Sequence, residues 1–344
     1  MARRHQGSRD RDRLNTAAMT RCALVTTGGT IVSRIDEGTG LAMPVLSGEE
    51  LLKTLDGLTD TAALEVIDYV RVASPQIDPH HWVGLHRTIE SLVERDDIAG
   101  VVVTHGTSTL EETAWFLDLT LDTDKPVVLT GAQRNVSEAG FDGPRNFLAA
   151  LRVCRSEDAA GLGVLVVLND HVNAAREVTK THTLDVETFQ SGEWGYLASL
   201  VKDRVVFHRR PTRRLHLPLQ TEALPPVEIV SMYVGASGAM VRAAADSGAR
   251  GLVIQAVASG HVNQPMYEAI AEVLTRGIPV VVSTRIPKGG TRLGYGFAGS
   301  SQQLVEAGAV LSGDLSPWKA RILLMLAIQA GQAAPQDLQR LFGP

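Results

Sequence analysis

Runs of aliphatic residues that end on glycine restrict this chain more than any other feature. Cys22–Thr27 (CALVTT) runs into Gly28-Gly29, Gly100–His105 (GVVVTH) runs into Gly106, and Pro126–Gly131 (PVVLTG) ends on its own glycine. Val66–Ala73 and Val164–Asp170 are further β-rich runs. Strands this continuously apolar are buried on both faces, which is the habit of a parallel sheet. Helical patterns separate them. Asp78 caps a helix with Pro79 at its first position, and Trp82, Leu85, Ile89 and Leu92 recur on one face. Ser108-Thr109-Leu110-Glu111 reads as a capping box opening a helix through Leu119, and Asp142–Cys154 reads as another helix with Pro144 in its first turn.

The alternation stops at residues 209–226 (RRPTRRLHLPLQTEALPP), where four prolines and an arginine cluster predict a solvated linker rather than a phosphate grip. It then restarts. Val227–Val234, Gly251–Val257 and Pro279–Arg285 read as strands; Gly238–Ser247, Pro265–Arg276 and Ser316–Ala330 read as helices. The predicted class is α/β: two open, mainly parallel domains, a larger one over 19–208 and a smaller one over 227–344. A length of 344 residues suits two domains, and 44% hydrophobic residues can fill their cores without metals or disulfides. Cys22 and Cys154 read as reduced, packed thiols. Residues 1–18 read as a disordered, arginine-rich tail without the apolar stretch of a secretory signal, and Met19 is an alternative start. No apolar run reaches membrane-spanning length, so a cytoplasmic location is expected. The net charge of -5 gives no broad basic surface for nucleic acid.

In open parallel sheets, ligands bind beyond the carboxyl ends of the strands. Three segments lie there: Thr26-Thr27-Gly28-Gly29-Thr30, Thr104-His105-Gly106-Thr107-Ser108, and the stretch from Asn169. Glycine lets backbone N–H groups approach a ligand, and such groups can stabilise an oxyanion. A threonine hydroxyl needs a base before it becomes a nucleophile. No histidine–carboxylate pairing stands at a motif spacing, which leaves lysine. Lys180, in Val178-Thr179-Lys180-Thr181, is the candidate, since a desolvated lysine gives up its proton readily.

Thr27-Gly28-Gly29-Thr30-Ile31, Thr104-His105-Gly106-Thr107, Asp142-Gly143-Pro144 with Asn146, Val178-Thr179-Lys180 and the late Lys319-Ala320-Arg321 together resemble the signature segments of the bacterial L-asparaginase/glutaminase family, in that family's order. The resemblance runs from about residue 20 to the C-terminus. It implies a cofactor-free, metal-free amidohydrolase acting on a small-molecule amide. In that reading Thr27 attacks a side-chain amide and forms an acyl-enzyme, and Thr107 works with Lys180. Ser74 matches a residue that binds the substrate α-carboxylate, and Gly106 and Ala132 match backbone groups near the reacting amide. The resemblance also implies a homodimer or homotetramer, with Ser259 and His261 in the loop that completes a neighbour's site.

Two positions depart from that pattern. Ser108 stands where the family has an aspartate that binds the substrate α-ammonium, and the bland reading of Ser108 is a helix cap. Losing such a partner costs on the order of 2–5 kcal/mol of binding. Either the substrate lacks that ammonium or another acid takes over. The lid, residues 28–50, has Gly38 and Gly40 but no tyrosine, and Tyr295 from a partner subunit is a weak stand-in. Gly294-Tyr295-Gly296-Phe297-Ala298-Gly299 matches the dinucleotide fingerprint only by letter, since it does not follow a strand directly. His80, His81 and His86 cannot share one metal at helical spacing. Two other functional classes stay open on sequence alone: a non-catalytic amide or amino-acid binder, and an ammonia-supplying subunit of a larger complex.

Overall fold

The computed structural model describes residues 21–54 and 64–343. The tail over 1–18 and Met19 lie outside the described residues. The chain opens on β1 (Arg21–Gly28), passes through a hairpin of β2 (Ser33–Ile35) and β3 (Ala42–Pro44) and helix α1 (Gly48–Lys53), and enters β4 (Leu64–Val72). Then follow α2 (Pro79–Val93), β5 (Ile98–Thr104), α3 (Leu110–Thr120), β6 (Val127–Thr130), α4 (Gly143–Cys154) and β7 (Val164–Leu168). The first half closes with β8 (His171–Ala174), a small hairpin of β9 (Thr179–Lys180) and β10 (Phe189–Gln190), then β11 (Ala198–Val201) and β12 (Arg204–Phe207). The second half runs β13 (Val227–Ser231), α5 (Ala239–Asp246), β14 (Gly251–Ala256), α6 (Gln264–Thr275), β15 (Val280–Thr284), α7 (Ser301–Glu306), β16 (Val310–Leu311), α8 (Pro317–Gln329) and α9 (Pro335–Phe342).

Eight strands form the first sheet in the order β12-β11-β8-β7-β6-β5-β1-β4, and β13-β14-β15-β16 form the second. Pairing from β4 through β7 is parallel, whereas β7, β8, β11 and β12 pair antiparallel. The second sheet is parallel throughout. The antiparallel edge has a local cause. Asn169 and Asp170 both take positive φ, so the chain reverses in a tight turn instead of crossing over through a helix. β1 lies between β4 and β5, so the chain changes direction across it. That makes the β1/β5 boundary the topological switch point of the sheet, where a crevice opens beyond the strand ends.

Two layers cover the first sheet. Trp82, Leu85, Ile89 and Leu92 of α2 are buried, as their spacing predicts, and pack with Trp115 and Phe116 of α3 and the strand residues Val101 and Val103. On the opposite face, Phe147, Ala150 and Leu151 of α4 pack against Leu24 and Val102. Cys22 and Cys154 belong to that layer as free thiols with sulfurs 3.6 Å apart. Helix α8 is apolar nearly all round. It joins one continuous core with α3 on one side and Val227, Val253 and Val281 of the second sheet on the other.

Two local readings change. Ser108–Glu111 is not a capping box: α3 starts at Leu110 with Thr109 as N-cap, no side chain caps it, and Glu111 points to other donors. The segment over 209–226 is exposed along most of its length, as a connector is, but it is tied down to its neighbours. Leu217 is buried and its N–H bonds the Leu119 carbonyl at the end of α3. Arg213 and Arg214 donate to the carbonyls of Leu341 and Gly161, and Arg209 pairs with Glu177. Carbonyls left over at turns and helix ends need donors, and these arginines supply them.

The loops leaving β1 and β5 touch backbone to backbone. A Cβ on Gly29, whose φ is +83°, would lie 2.3 Å from the Gly106 Cα. Gly29→Ala is therefore expected to lower unfolding stability by about 2 kcal/mol or more, read as a shift in the urea midpoint at unchanged slope.

Candidate active site

At the switch point, Thr27 lies next to the end of β1, buried at 2% exposure, and its hydroxyl donates to the Thr104 carbonyl of β5 at 3.0 Å. The next residues of the β5 loop are His105, Gly106 and Thr107. Ser74, just past β4, is buried on the other side of Gly106, where a Cβ would lie 2.7 Å from the Ser74 hydroxyl. The ends of β4, β1 and β5 thus converge with only glycine between them.

Lys180 reaches this place from the β9–β10 hairpin. Its Nζ donates to Thr107 Oγ1 at 2.8 Å and to Gln133 Oε1 at 3.0 Å, and Thr107 Oγ1 donates to the same Gln133 oxygen at 2.8 Å. The Gln133 amide nitrogen donates to the Asp185 carbonyl at 3.0 Å, which fixes its oxygen toward the lysine and threonine. Burial lowers the Lys180 pKa, and the negative charge of Glu111 opposes that fall. An ammonium already in contact with a threonine hydroxyl, and partly desolvated, is suited to passing a proton through that hydroxyl.

His105 lies behind the loop and is fully buried. Its Nδ1 donates to the Gly106 carbonyl at 2.8 Å, and its Nε2 is 2.9 Å from the Thr113 hydroxyl, which also accepts the Trp82 indole N–H at 2.9 Å. With the Trp82 N–H filling one acceptor position on Thr113, the hydroxyl proton goes to Nε2, and the imidazole is neutral with its proton on Nδ1. Burial pulls its pKa down to about 4. The ring is a brace for the Gly106 carbonyl, not a base facing the pocket.

The sequence candidates divide. Thr107 and Lys180 are in direct contact. Thr27, Ser74 and Gly106 stand at the same strand ends, although among the described hydrogen bonds the Thr27 hydroxyl meets neither Thr107 nor Lys180. Ala132 is buried at the end of β6, between Gly131, packed on the His105 carbonyl, and Gln133. Ser108 is exposed and caps nothing. Ser259 lies past β14 in the other sheet, 3.2 Å from His261 Nε2, and Tyr295 stacks edge-on against His261 at 5.2 Å. Residues 28–50, the lid expected from the resemblance, include the β2–β3 hairpin, which exposes Leu41 and Met43. Gln133 carries no functional mark of its own in the sequence, and Glu111 carries only that of a helix cap. Gln133 is the next residue after Ala132 at a strand end, and that position is the one signal that pointed to it. His81 caps α2 with Asp78, and His86 is buried against Thr120, which accounts for two of the clustered histidines structurally. Among the described residues no three His, Cys, Asp or Glu side chains are arranged to hold a metal ion.

Hydroxyls and a partly buried lysine gathered at the switch point of a mainly parallel sheet suit hydrolytic chemistry through a hydroxyl nucleophile, on a two-sheet α/β frame. The family models "Asparaginase, N-terminal" and "Glutaminase/Asparaginase C-terminal domain" match residues 21–213 and 226–342. The chain belongs to the asparaginase family. It is 36% identical to an L-asparaginase of Bacillus licheniformis over 92% of this chain and 97% of that protein. A probable L-asparaginase of Deinococcus radiodurans is 38% identical over 95% of this chain and 98% of its own length. The crystal structure of a probable cytoplasmic L-asparaginase from Campylobacter jejuni superposes with a TM-score of 0.85 at 32% identity, covering 94% of this chain and 99% of that one.

Because the His105 pKa falls from 6.5 to about 4 on folding, the unfolded chain takes up this proton first as pH drops. The contribution is complete above pH 6.5 and is lost on the way down to 4, a change of about 3 kcal/mol. Denaturant titrations at either end of that window should show the loss, and His105→Gln should remove most of it.

Proposed function

We propose that this protein hydrolyses the side-chain carboxamide of asparagine, or of a closely related small amide, to the acid and ammonia through a threonine acyl-enzyme. The observation that carries the reading is the Lys180–Thr107–Gln133 contact beside the β1 terminus. Thr27 Oγ forms the bond to the amide carbon, and its proton passes to the lysine–threonine pair once Lys180 is neutral. The C–N bond breaks and the nitrogen leaves as ammonia with a proton returned from the pair. Water then adds to the ester, gives its proton to the same pair, and releases the acid with Thr27 restored. Backbone N–H groups around Gly106 and Ala132 face the carbonyl oxygen in this scheme, and Ser74 holds the far end of the substrate. The partial desolvation of Lys180 supports the scheme, because a lysine at its ordinary pKa stays charged at neutral pH.

The same reading takes residues 19–208 as the catalytic unit and 227–344 as the unit whose Ser259 loop completes a neighbour's site in a dimer or tetramer. It needs no cofactor. A cytoplasmic location belongs to it as well. The solved relative from Campylobacter is named as cytoplasmic, and among the described residues no helix is long and apolar enough to cross a membrane.

One observation favours a second reading, an amide without a free α-ammonium. Ser108 brings no charge, and the carboxylates nearby are occupied. Glu111 takes the Lys180 and Trp318 N–H groups, and Asp142 takes the N–H groups of Gln133 and Arg134. Two predictions follow from these readings. Ammonia release from a panel including L-asparagine, L-glutamine, D-asparagine and succinamate is expected to fall roughly a thousandfold or more in Thr27→Ala, and release unchanged in that variant would remove Thr27 from the scheme. Ser108→Asp is expected to raise kcat/KM for L-asparagine by ten- to a hundredfold, roughly 1.4–3 kcal/mol. No rise would leave the ammonium to a different acid.

A further inference from the structure

Behind Lys180, on the side away from Thr107, lies a second set of contacts that the reaction scheme does not use. Glu111 is buried in the first turn of α3. Its Oε1 accepts the backbone N–H of Lys180 at 3.1 Å, and its Oε2 accepts the indole N–H of Trp318, at the start of α8, at 2.9 Å. The adjacent Lys319 is buried, and its ammonium donates to the carbonyls of Ala175, Arg176 and Val178, which lead directly into β9. The Lys319 carbonyl in turn accepts the Trp115 indole N–H from α3. Arg176 and Asp314 form a two-pronged ion pair across the same junction.

Two N–H donors satisfy the Glu111 oxygens but do not neutralise the charge. A buried carboxylate needs a cation nearby. Its charge favours the ammonium forms of both Lys180 and Lys319, against the burial that lowers each of them. The other charged groups around Lys180 are engaged elsewhere. Asp142, beyond Gln133, is bonded to backbone N–H groups, the His182 ring accepts N–H bonds from its own loop, and the Asp185 carboxylate takes the Glu187 N–H.

We propose that Glu111 is the positioning residue of Lys180: it fixes the strand that carries the lysine and supplies the charge against which its ammonium is held, with Trp318 and Lys319 gripping the carboxylate and the strand from the C-terminal half. This rests on Lys180 as the proton-handling residue of the reading above. Removing the carboxylate lowers the lysine's proton affinity without touching the pocket face.

Trace acetylation by acetic anhydride, followed for Lys180 by mass spectrometry across about pH 6–11, reads its titration without any turnover. In Glu111→Gln the midpoint should fall by about one unit, so Lys180 acetylates about tenfold faster below it. The acid limb of the L-asparagine kcat/KM profile should move down with it. If the midpoint falls and the profile stays, the positioning inference stands and the proton-handling role of Lys180 fails. A midpoint that does not move overturns the inference. Trp318→Phe keeps the charge but frees one oxygen, and covers the case in which Glu111→Gln does not fold. It should cut kcat about tenfold while KM stays within about threefold. An unchanged kcat in that variant also overturns the inference.

Discussion

Lys180 can touch Thr107 only because the backbones leaving β1 and β5 lie against each other. The Cβ that Gly29 lacks would fall almost on the Gly106 Cα, and the one that Gly106 lacks would fall on Ser74. Any side chain at either glycine would push these strand ends apart and carry Thr107 out of reach of the hairpin. The site is therefore a consequence of close backbone approach at a switch point, with the polar side chains arranged around the place where Cβ atoms are missing. The His105 brace belongs to the same economy. It ties the Gly106 carbonyl, through Thr113, to Trp82 in the core between α2 and α3, so the loop is held by buried packing rather than by its own sequence.

That core reaches further than the first sheet. Helix α8 packs on α3 and on the second sheet at once, and its first turn presents Trp318 to Glu111 and Lys319 to the segment leading into β9. A two-residue strand has little stability of its own, because it offers few ladder bonds and few cross-strand pairs. Its register is imposed from outside, by three carbonyls closed on one ammonium and one N–H closed on one carboxylate. The lysine that meets the pocket is thus placed from both halves, by Glu111 of the first and by Trp318 and Lys319 of the second, which holds none of the pocket's hydroxyls.

Much of this was legible in the chain. Apolar runs ending on glycine announced β1, β5 and β6, and the four apolar positions of α2 all lie in the core. Thr107 and Lys180 stand together as the resemblance implied. What escaped was whatever depends on a partner distant in sequence. Glu111 fits a capping box by spacing, yet Lys180 and Trp318, 69 and 207 residues away, compete for it and win. Gln133 carries no local mark beyond its place after a strand. The arginines over 209–226 resemble a solvated run because the carbonyls they satisfy belong to other segments. Periodicity reports the face a residue presents, whereas these contacts depend on what the fold brings to that face.

The charge balance of the pocket ties these strands of argument together. A lysine that relays protons must be poised near neutrality, and two environments push it in opposite directions. Desolvation removes the proton, and a carboxylate restores it. In this chain the carboxylate acts from behind, through Glu111, while the front of the pocket carries the uncharged Ser108. A carboxylate at position 108 would serve two ends at once, binding a substrate cation and holding the lysine charged. Separating those ends lets the lysine keep a counter-charge whatever occupies the front. An amide with no cation then leaves no charge unpaired, and one that carries a cation meets no carboxylate at position 108. Under the proposed scheme, substrate choice would be read at position 108 and the lysine's charge at position 111.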